Sequence, residues 1–396
     1  MFGSLALVLA VAFYLPMTLL APLKAADAVL AKPVVPPAAS AQLAMPGYGG
    51  TAVGAIGFDG PLAQSGSTAP LPMASITKVV TTLVVLQAKP LAFGAEGPRV
   101  TMTAADVALY HHYLALGGSV ATVRAGFVFT EHELLELSLI HSANNYAASL
   151  AVWAFGSMDA YVVAARAWVA SQKLDSMTIT DPTGIDPADA ASTADLVRLG
   201  ELALADPVIA PIVSTASITI HDVGALSNTN ALLGSQGVDG IKTGTLDGAG
   251  ANLLFSAEHR VGSTTVTIVG VVLGGSTHAV IDADITTLLS GVFSGFHEVE
   301  LAKKGEAFAS YTTQWGRTVT AVAQRSASIL TWSSTAVTAT ITASPVTTGT
   351  KGQHIGSATF TAAGRTVTVP LGLAATIDDP GPGWRLSHPG LIVGSP

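Results

Sequence analysis

The chain of 396 residues contains no cysteine. That excludes a thiol nucleophile, a disulfide framework and any cysteine-ligated metal site, and leaves the compartment open. Charge is also scarce. Asp, Glu, Lys and Arg make up 11% of the residues, against about 25% in an ordinary soluble domain. The formal net charge is −8, so the basic face needed to bind nucleic acid is not expected. Ten histidines are present, but none stands in a ligand pattern. The nearest is His132-Glu133-Leu134-Leu135-Glu136, where Glu136 replaces the second histidine of a zinc-protease helix. No metal or cofactor is expected. Apolar residues, by contrast, reach 49%, enough for a large core. The length suggests two domains plus appendages, at about 100–200 residues per domain.

The N-terminal stretch is distinct from the rest. Leu5 to Leu23 is almost continuously apolar, broken only by Pro16, Thr18 and Pro22. It is long for the core of a signal peptide and marginal for a membrane span. Ala26-Asp27-Ala28 has the small-x-small form of a cleavage site, although no lysine or arginine precedes the apolar run. Residues 1–28 are therefore expected to be a signal peptide or an N-terminal membrane anchor, and either places the remainder outside the cytoplasm, at the cell wall or the outer face of the cytoplasmic membrane. A buried helix is disfavoured because Pro16 and Pro22 would break it. Residues 29–46, rich in alanine and proline, read as a linker.

Globular patterning starts near residue 47. Thr51 to Phe58 reads as a strand bounded by the turn signal Asp59-Gly60. Helices are expected over Ser75–Gln87, Glu131–Leu139, Tyr146–Phe155, Tyr161–Leu174 and Thr193–Leu204. Strands follow over Gly240–Thr245, Ala251–Ala257 and Thr264–Leu273, then a helix over Ile281–Phe296. Strands at both ends of a helical middle suggest a sheet covered by helices, a catalytic domain over residues 47–300. Past Lys303-Lys304-Gly305 the pattern alternates, as in Thr318–Val322, Val337–Thr342 and Thr366–Val369. Residues 305–396 are expected to form a small all-β domain that folds alone.

Three short motifs carry the chemistry. The first is Ser75-Ile76-Thr77-Lys78, led in by Pro72-Met73-Ala74. Residues three apart on a helix share a face. A serine hydroxyl needs a base beside it, and lysine serves as one only when neutral, far from its ordinary pKa of about 10.4. Burial and a second nearby cation would both favour the neutral form, and Lys242 can supply that cation. The second motif is Ser142-Ala143-Asn144, after a helix ending near Ile140. A hydroxyl and an amide there suit a proton relay and a contact to a substrate amide; the alternative is a plain helix junction capped by Asn144 or Asn145. The third is Lys242-Thr243-Gly244-Thr245, on a strand. Lysine and threonine on an edge strand suit a carboxylate, Gly244 lets another backbone approach, and the N–H groups of Thr245 and Ser75 can pair as an oxyanion hole. Each motif alone also occurs by chance. The three in this order are far more specific.

In that order the motifs resemble the active-site signature of the penicillin-recognising enzymes, and in particular the serine D-alanyl-D-alanine carboxypeptidases, the low-molecular-mass penicillin-binding proteins. Asp181-Pro182-Thr183-Gly184-Ile185-Asp186, Ser192-Thr193-Ala194-Asp195-Leu196 and Val238-Asp239-Gly240 extend the likeness across roughly residues 48–296. The resemblance implies an α/β (α+β) catalytic domain, with a five-stranded antiparallel sheet and a helical subdomain, followed by the all-β domain. It implies Ser75 as nucleophile, Lys78 as base, Ser142 as proton relay, and Asn144 as orienter of the substrate amide. Lys242, Thr243 and Thr245 would hold the terminal carboxylate beside Gly244. The implied substrate is the D-Ala-D-Ala end of a peptidoglycan stem peptide, with β-lactams as covalent inhibitors. Two positions depart from the pattern: Asn145 stands where aspartate is usual, and Ser276, Thr277 and His278 follow Gly275 where an arginine is common. A β-lactamase or esterase of the same superfamily, an endopeptidase and a catalytically silent wall-binding protein are the competing expectations. A class A β-lactamase needs a glutamate after the second motif, and only Glu201 lies between Ser142 and Lys242.

Overall fold

A computed structural model describes residues 2–393. The chain divides into two compact units, Ala41–Gly295 and a second made of residues 1–40 with Phe296–Pro396.

The first unit is built on a five-stranded antiparallel sheet. Its strands are β1 (Gly50–Ala55), β2 (Ala63–Gly66), β3 (Val238–Leu246), β4 (Gly250–Val261) and β5 (Thr264–Gly275), in the order β3-β4-β5-β1-β2. β1 and the middle of β5 are buried on nearly every residue, which accounts for their unbroken apolar sequence. β3 forms one edge, so its backbone groups on the side away from β4 are free for another partner.

The helical part holds α1 (Thr77–Ala88), α2 (Ala104–Ala115), α3 (Glu131–Leu139), α4 (Asn144–Phe155) and α5 (Met158–Ser171). α4 is the hub: α1, α2, α3 and α5 all pack on it, and Asn144 through Ala151 are all buried. α3 starts where its capping box dictates. Thr130 Oγ1 accepts the Glu133 N–H, and the Glu133 carboxylate accepts the Thr130 N–H. Two further helices, α6 (Thr193–Ala205) and α7 (His278–Ser294), lie on the sheet. α6 approaches closely at Gly200, where a Cβ would meet Val269 at 2.5 Å.

The second unit is a six-stranded antiparallel sheet in the order Ala28–Leu30, Ala307–Thr312, Thr318–Ala323, Arg365–Leu373, His354–Ala362, Thr338–Ala343, with a separate Phe296–Ala302/Ala327–Trp332 pair. This differs from expectation at its boundaries. The segment expected as a linker from residue 29 begins inside the edge strand Ala28–Leu30, which pairs with Ala309–Tyr311. The Ala26 N–H donates to the Val346 carbonyl at 2.9 Å and the Val346 N–H returns the bond at 3.0 Å. The stretch read as a cleavage site thus runs from an isolated bridge at Ala26 into the edge strand at Ala28, and the β unit is not confined to residues 305–396. A helix runs over Phe2–Leu19 with Pro16 inside it, so Pro16 does not end it as expected. The Leu20 N–H still donates to the Pro16 carbonyl at 3.0 Å, and the turn after the proline persists. No single helix among the described residues is long and apolar enough to cross a membrane.

Candidate active site

Ser75 sits in a single 3-10 turn, Ala74–Ile76, immediately before α1. The lead-in is pinned at both ends. The Met73 N–H donates to the Asp189 carbonyl at 2.9 Å. The Pro72 carbonyl accepts from Asn252 Nδ2 at 3.1 Å, and Asn252 Oδ1 accepts the Gly274 N–H at 2.8 Å. A fully buried amide therefore ties the segment leading to Ser75 to the sheet.

One helical turn on, Lys78 is fully buried. Its Nζ lies 2.8 Å from Ser75 Oγ and donates to the Thr183 carbonyl, also at 2.8 Å. Burial, then the charge of Lys242, hold its pKa well below the usual ammonium range; Asp181 and Asp189 pull weakly the other way. A neutral amine with one hydrogen committed to Thr183 can keep its lone pair for the Ser75 hydroxyl.

The Thr183 carbonyl is itself held in place. Asp181 Oδ1 accepts from the Thr183 N–H, the Thr183 hydroxyl and the Gly184 N–H, and Oδ2 accepts from the Asp186 N–H. Gly184 adopts φ +76°, and a Cβ there would fall 1.9 Å from the Ala74 carbonyl oxygen. Only glycine lets this loop press against the turn that carries Ser75.

The edge strand β3 closes the opposite side. A Cβ on Gly244 would lie 2.8 Å from the Met73 carbonyl oxygen and 3.3 Å from the Ser75 nitrogen, so the strand backbone passes directly beside that of Ser75. Lys242 is buried, and burial pulls its pKa down to about 7. Its Nζ donates to the Thr243 carbonyl at 3.3 Å. The hydroxyls of Thr243 and Thr229 are hydrogen-bonded to each other. Thr245 Oγ1 is 2.7 Å from His278 Nε2.

These groups line one cavity of about 720 Å3, whose wall includes Ser75, Ser142, Asn144, Thr229, Thr243, Gly244, Thr245 and His278. Lys78 and Lys242 lie behind this wall. All eight residues singled out from the three motifs therefore gather at one place. Ser142 takes a left-handed φ of +62°, and no hydrogen bond of its side chain is found among the described residues. Asn144 opens α4 without capping it; its Oδ1 is buried with no partner, an acceptor left over for a ligand N–H. Asn145 does not cap either: its amide exchanges two 3.0 Å bonds with the Ala121 backbone, which explains why an amide serves at that position. Thr229, Asn252, Asp181 and the loop carbonyl of Thr183 escaped sequence reasoning as site components. Their partners lie far away in the chain, and only the Asp181–Asp186 stretch stood out as a segment.

The cavity brings a serine hydroxyl against a buried lysine amine, on a mixed sheet-and-helix fold. The D-alanyl-D-alanine carboxypeptidase family model matches residues 61–277, more than half of the chain, and the chain belongs to that family. It is 30% identical over 247 residues to D-alanyl-D-alanine carboxypeptidase DacA of Escherichia coli, covering 61% of this chain and 60% of that one. It is 29% identical over 262 residues to DacC of the same organism, covering 64% and 63%. The match thus spans about 60% of the length of these curated relatives. Among solved structures, penicillin binding protein 5 of Haemophilus influenzae superposes with a TM-score of 0.59 at 21% identity, over 88% of this chain and 100% of that one. At that identity the likeness establishes the fold, and the five-stranded antiparallel sheet that the resemblance implies is present.

Proposed function

We propose that the protein is a serine-type D-Ala-D-Ala carboxypeptidase that trims the terminal D-alanine from peptidoglycan stem peptides. The observation that carries this is the 2.8 Å contact between Ser75 Oγ and a buried Lys78 Nζ, in a cavity also lined by Thr243 and Thr245, with the buried Lys242 hydrogen-bonded to the Thr243 carbonyl. Lys78 takes the Ser75 proton as Oγ attacks the penultimate carbonyl. The Ser75 and Thr245 N–H groups receive the developing oxyanion, a contribution typically worth about 10²–10³ in rate per donor. Asn144 Oδ1 accepts a substrate amide N–H, and Lys242, Thr243 and Thr245 hold the terminal carboxylate. The peptide C–N bond breaks, and the proton passes to the departing D-alanine amine, with Ser142 as the relay. Water then attacks the ester, with Lys78 again the base.

Two observations favour this over a β-lactamase. Glu201 lies on α6, paired with Arg198 at 3.0 Å and absent from the cavity wall. The Asp181 carboxylate in the facing loop is occupied by backbone N–H groups. Neither is placed to activate a deacylating water, so β-lactams are expected to inhibit as long-lived adducts. An extracytoplasmic site of action, with residues 1–28 as export signal or anchor, is supported by the apolar run from Leu5 to Leu23. The test is release of D-alanine from a tripeptide ending in D-Ala-D-Ala. Wild type is expected to release it and Ser75→Ala to release none while melting at the same temperature. Release by the variant overturns the assignment.

A further inference from the structure

His278 is the one histidine in the cavity wall, and the role assignments above leave it unused. It occupies the first position of α7, whose N-cap is Thr277. Its Nε2 is 2.7 Å from Thr245 Oγ1, and its Nδ1 is buried with no partner. Nδ1 has no partner in either tautomer. Buried N–H groups without an acceptor are rarer in folded proteins than buried acceptors without a donor, which favours the tautomer with its hydrogen on Nε2, donating to Thr245 Oγ1. The hydroxyl of Thr245 must then point its own hydrogen elsewhere, and the cavity is open to it, since Thr245 is exposed there.

The ring stays neutral for three reasons. Burial lowers its pKa, with Asp282 one turn along opposing and Lys242 reinforcing the shift. A second ring hydrogen would again land on the unpartnered Nδ1. The N-terminus of a helix also opposes positive charge.

We propose that His278 is a positioning residue that turns the Thr245 hydroxyl hydrogen toward the cavity, so that Thr245 donates to the substrate's terminal carboxylate. This rests on the carboxypeptidase reading and deepens it. A ring that accepted from Thr245 would take away that hydroxyl's only hydrogen; a ring that donates polarises the hydroxyl toward the anion. His278 thereby supplies, through a neutral relay, the recognition that a second cation after Gly275 would otherwise provide.

The test compares two tripeptides, one ending in D-Ala-D-Ala carboxylate and one in the corresponding amide, on wild type, His278→Leu and His278→Gln. The wild-type preference for the carboxylate is expected to fall about tenfold in His278→Leu, through KM with little change in kcat, the scale of one hydrogen bond to a charged group. His278→Gln, which keeps a donor, is expected to recover most of it. Thr245→Val in the His278→Leu background is expected to add little further loss, because both act through one hydroxyl. Equal losses on both peptides, an unchanged preference, or fully additive losses overturn the inference. Benzylpenicillin labelling of wild-type Ser75 separates the two levels. Labelling with an unchanged preference sinks the role of His278 alone; no labelling sinks the carboxypeptidase reading and the inference with it.

Discussion

Two buried lysines within electrostatic reach of each other set the behaviour of the site. As the proposed base, Lys78 acts only when neutral, so acylation is expected to rise with pH as it loses its proton. Lys242 pushes the Lys78 pKa down. Removing that charge in Lys242→Gln should raise the Lys78 pKa and move the acid limb of the acylation profile to higher pH, whatever the variant also loses in binding. A pH profile of second-order acylation by benzylpenicillin measures this, and a limb that stays put or moves to lower pH contradicts the assigned coupling. The chemistry-bearing residues were legible in the sequence because each sits in a short motif with a local physical meaning. The residues that aim them were not. Asn252 bonds Pro72 across 180 positions, and Thr229 meets Thr243 only after the chain has turned back. His278 stands out in sequence as a candidate replacement for the arginine after Gly275, with a surface histidine as the alternative, but its bond to Thr245 spans 33 positions and is not legible there.

Elements position these residues through close backbone approach. Gly244→Ala would drive a Cβ into the Met73 carbonyl and the Ala74 side chain, forcing β3 away from the turn that carries Ser75. Overpacking of this kind costs about 1–3 kcal/mol, and a displacement of about 1 Å at a reacting group can cost about 10²-fold in rate. Acylation by benzylpenicillin should therefore fall far more than thermal stability does; unaltered acylation would mean that β3 does not set the nucleophile's geometry. Asp189 offers a test of the loop behind Lys78. It is fully buried, and burial, with the Asp181 charge, pushes its pKa up from 3.8 to about 8. Between those values it is protonated when folded and ionised when unfolded, so folding takes up a proton and stability falls as pH rises across the window. Asp189→Asn should remove this dependence. Melting temperatures of the two proteins between pH 5 and pH 9, about the span of the shift, should converge or cross as pH rises, and parallel curves would contradict it. Several element limits were readable from caps and periodicity: the helix expected over Glu131–Leu139 is found with those bounds. α2 was missed although it carries a capping box of Thr103 and Asp106. Only Tyr113 of its residues is buried, so the apolar stripe that marks a helix in sequence is absent.

At the scale of the molecule, the β unit draws its edge strand from the other end of the chain. Alternation in sequence revealed the strands after residue 305 but gave no sign that Ala28–Leu30 joins them, because three residues of strand carry no period. A fragment of residues 305–396 lacks both Ala28–Leu30 and Phe296–Ala302, which pairs with Ala327–Trp332. It is expected to be unfolded or aggregated where the full chain is not. A cooperative melt of that fragment by circular dichroism would show that the borrowed strands are dispensable. The catalytic unit poses the more direct question, whether its cavity performs serine acyl transfer. Intact-protein mass spectrometry over time with benzylpenicillin answers it. A long-lived adduct of the drug's mass, mapped to Ser75 and absent from Ser75→Ala, is the expected result. Rapid loss of the adduct with drug consumed, or an adduct that persists in the variant, would contradict the account.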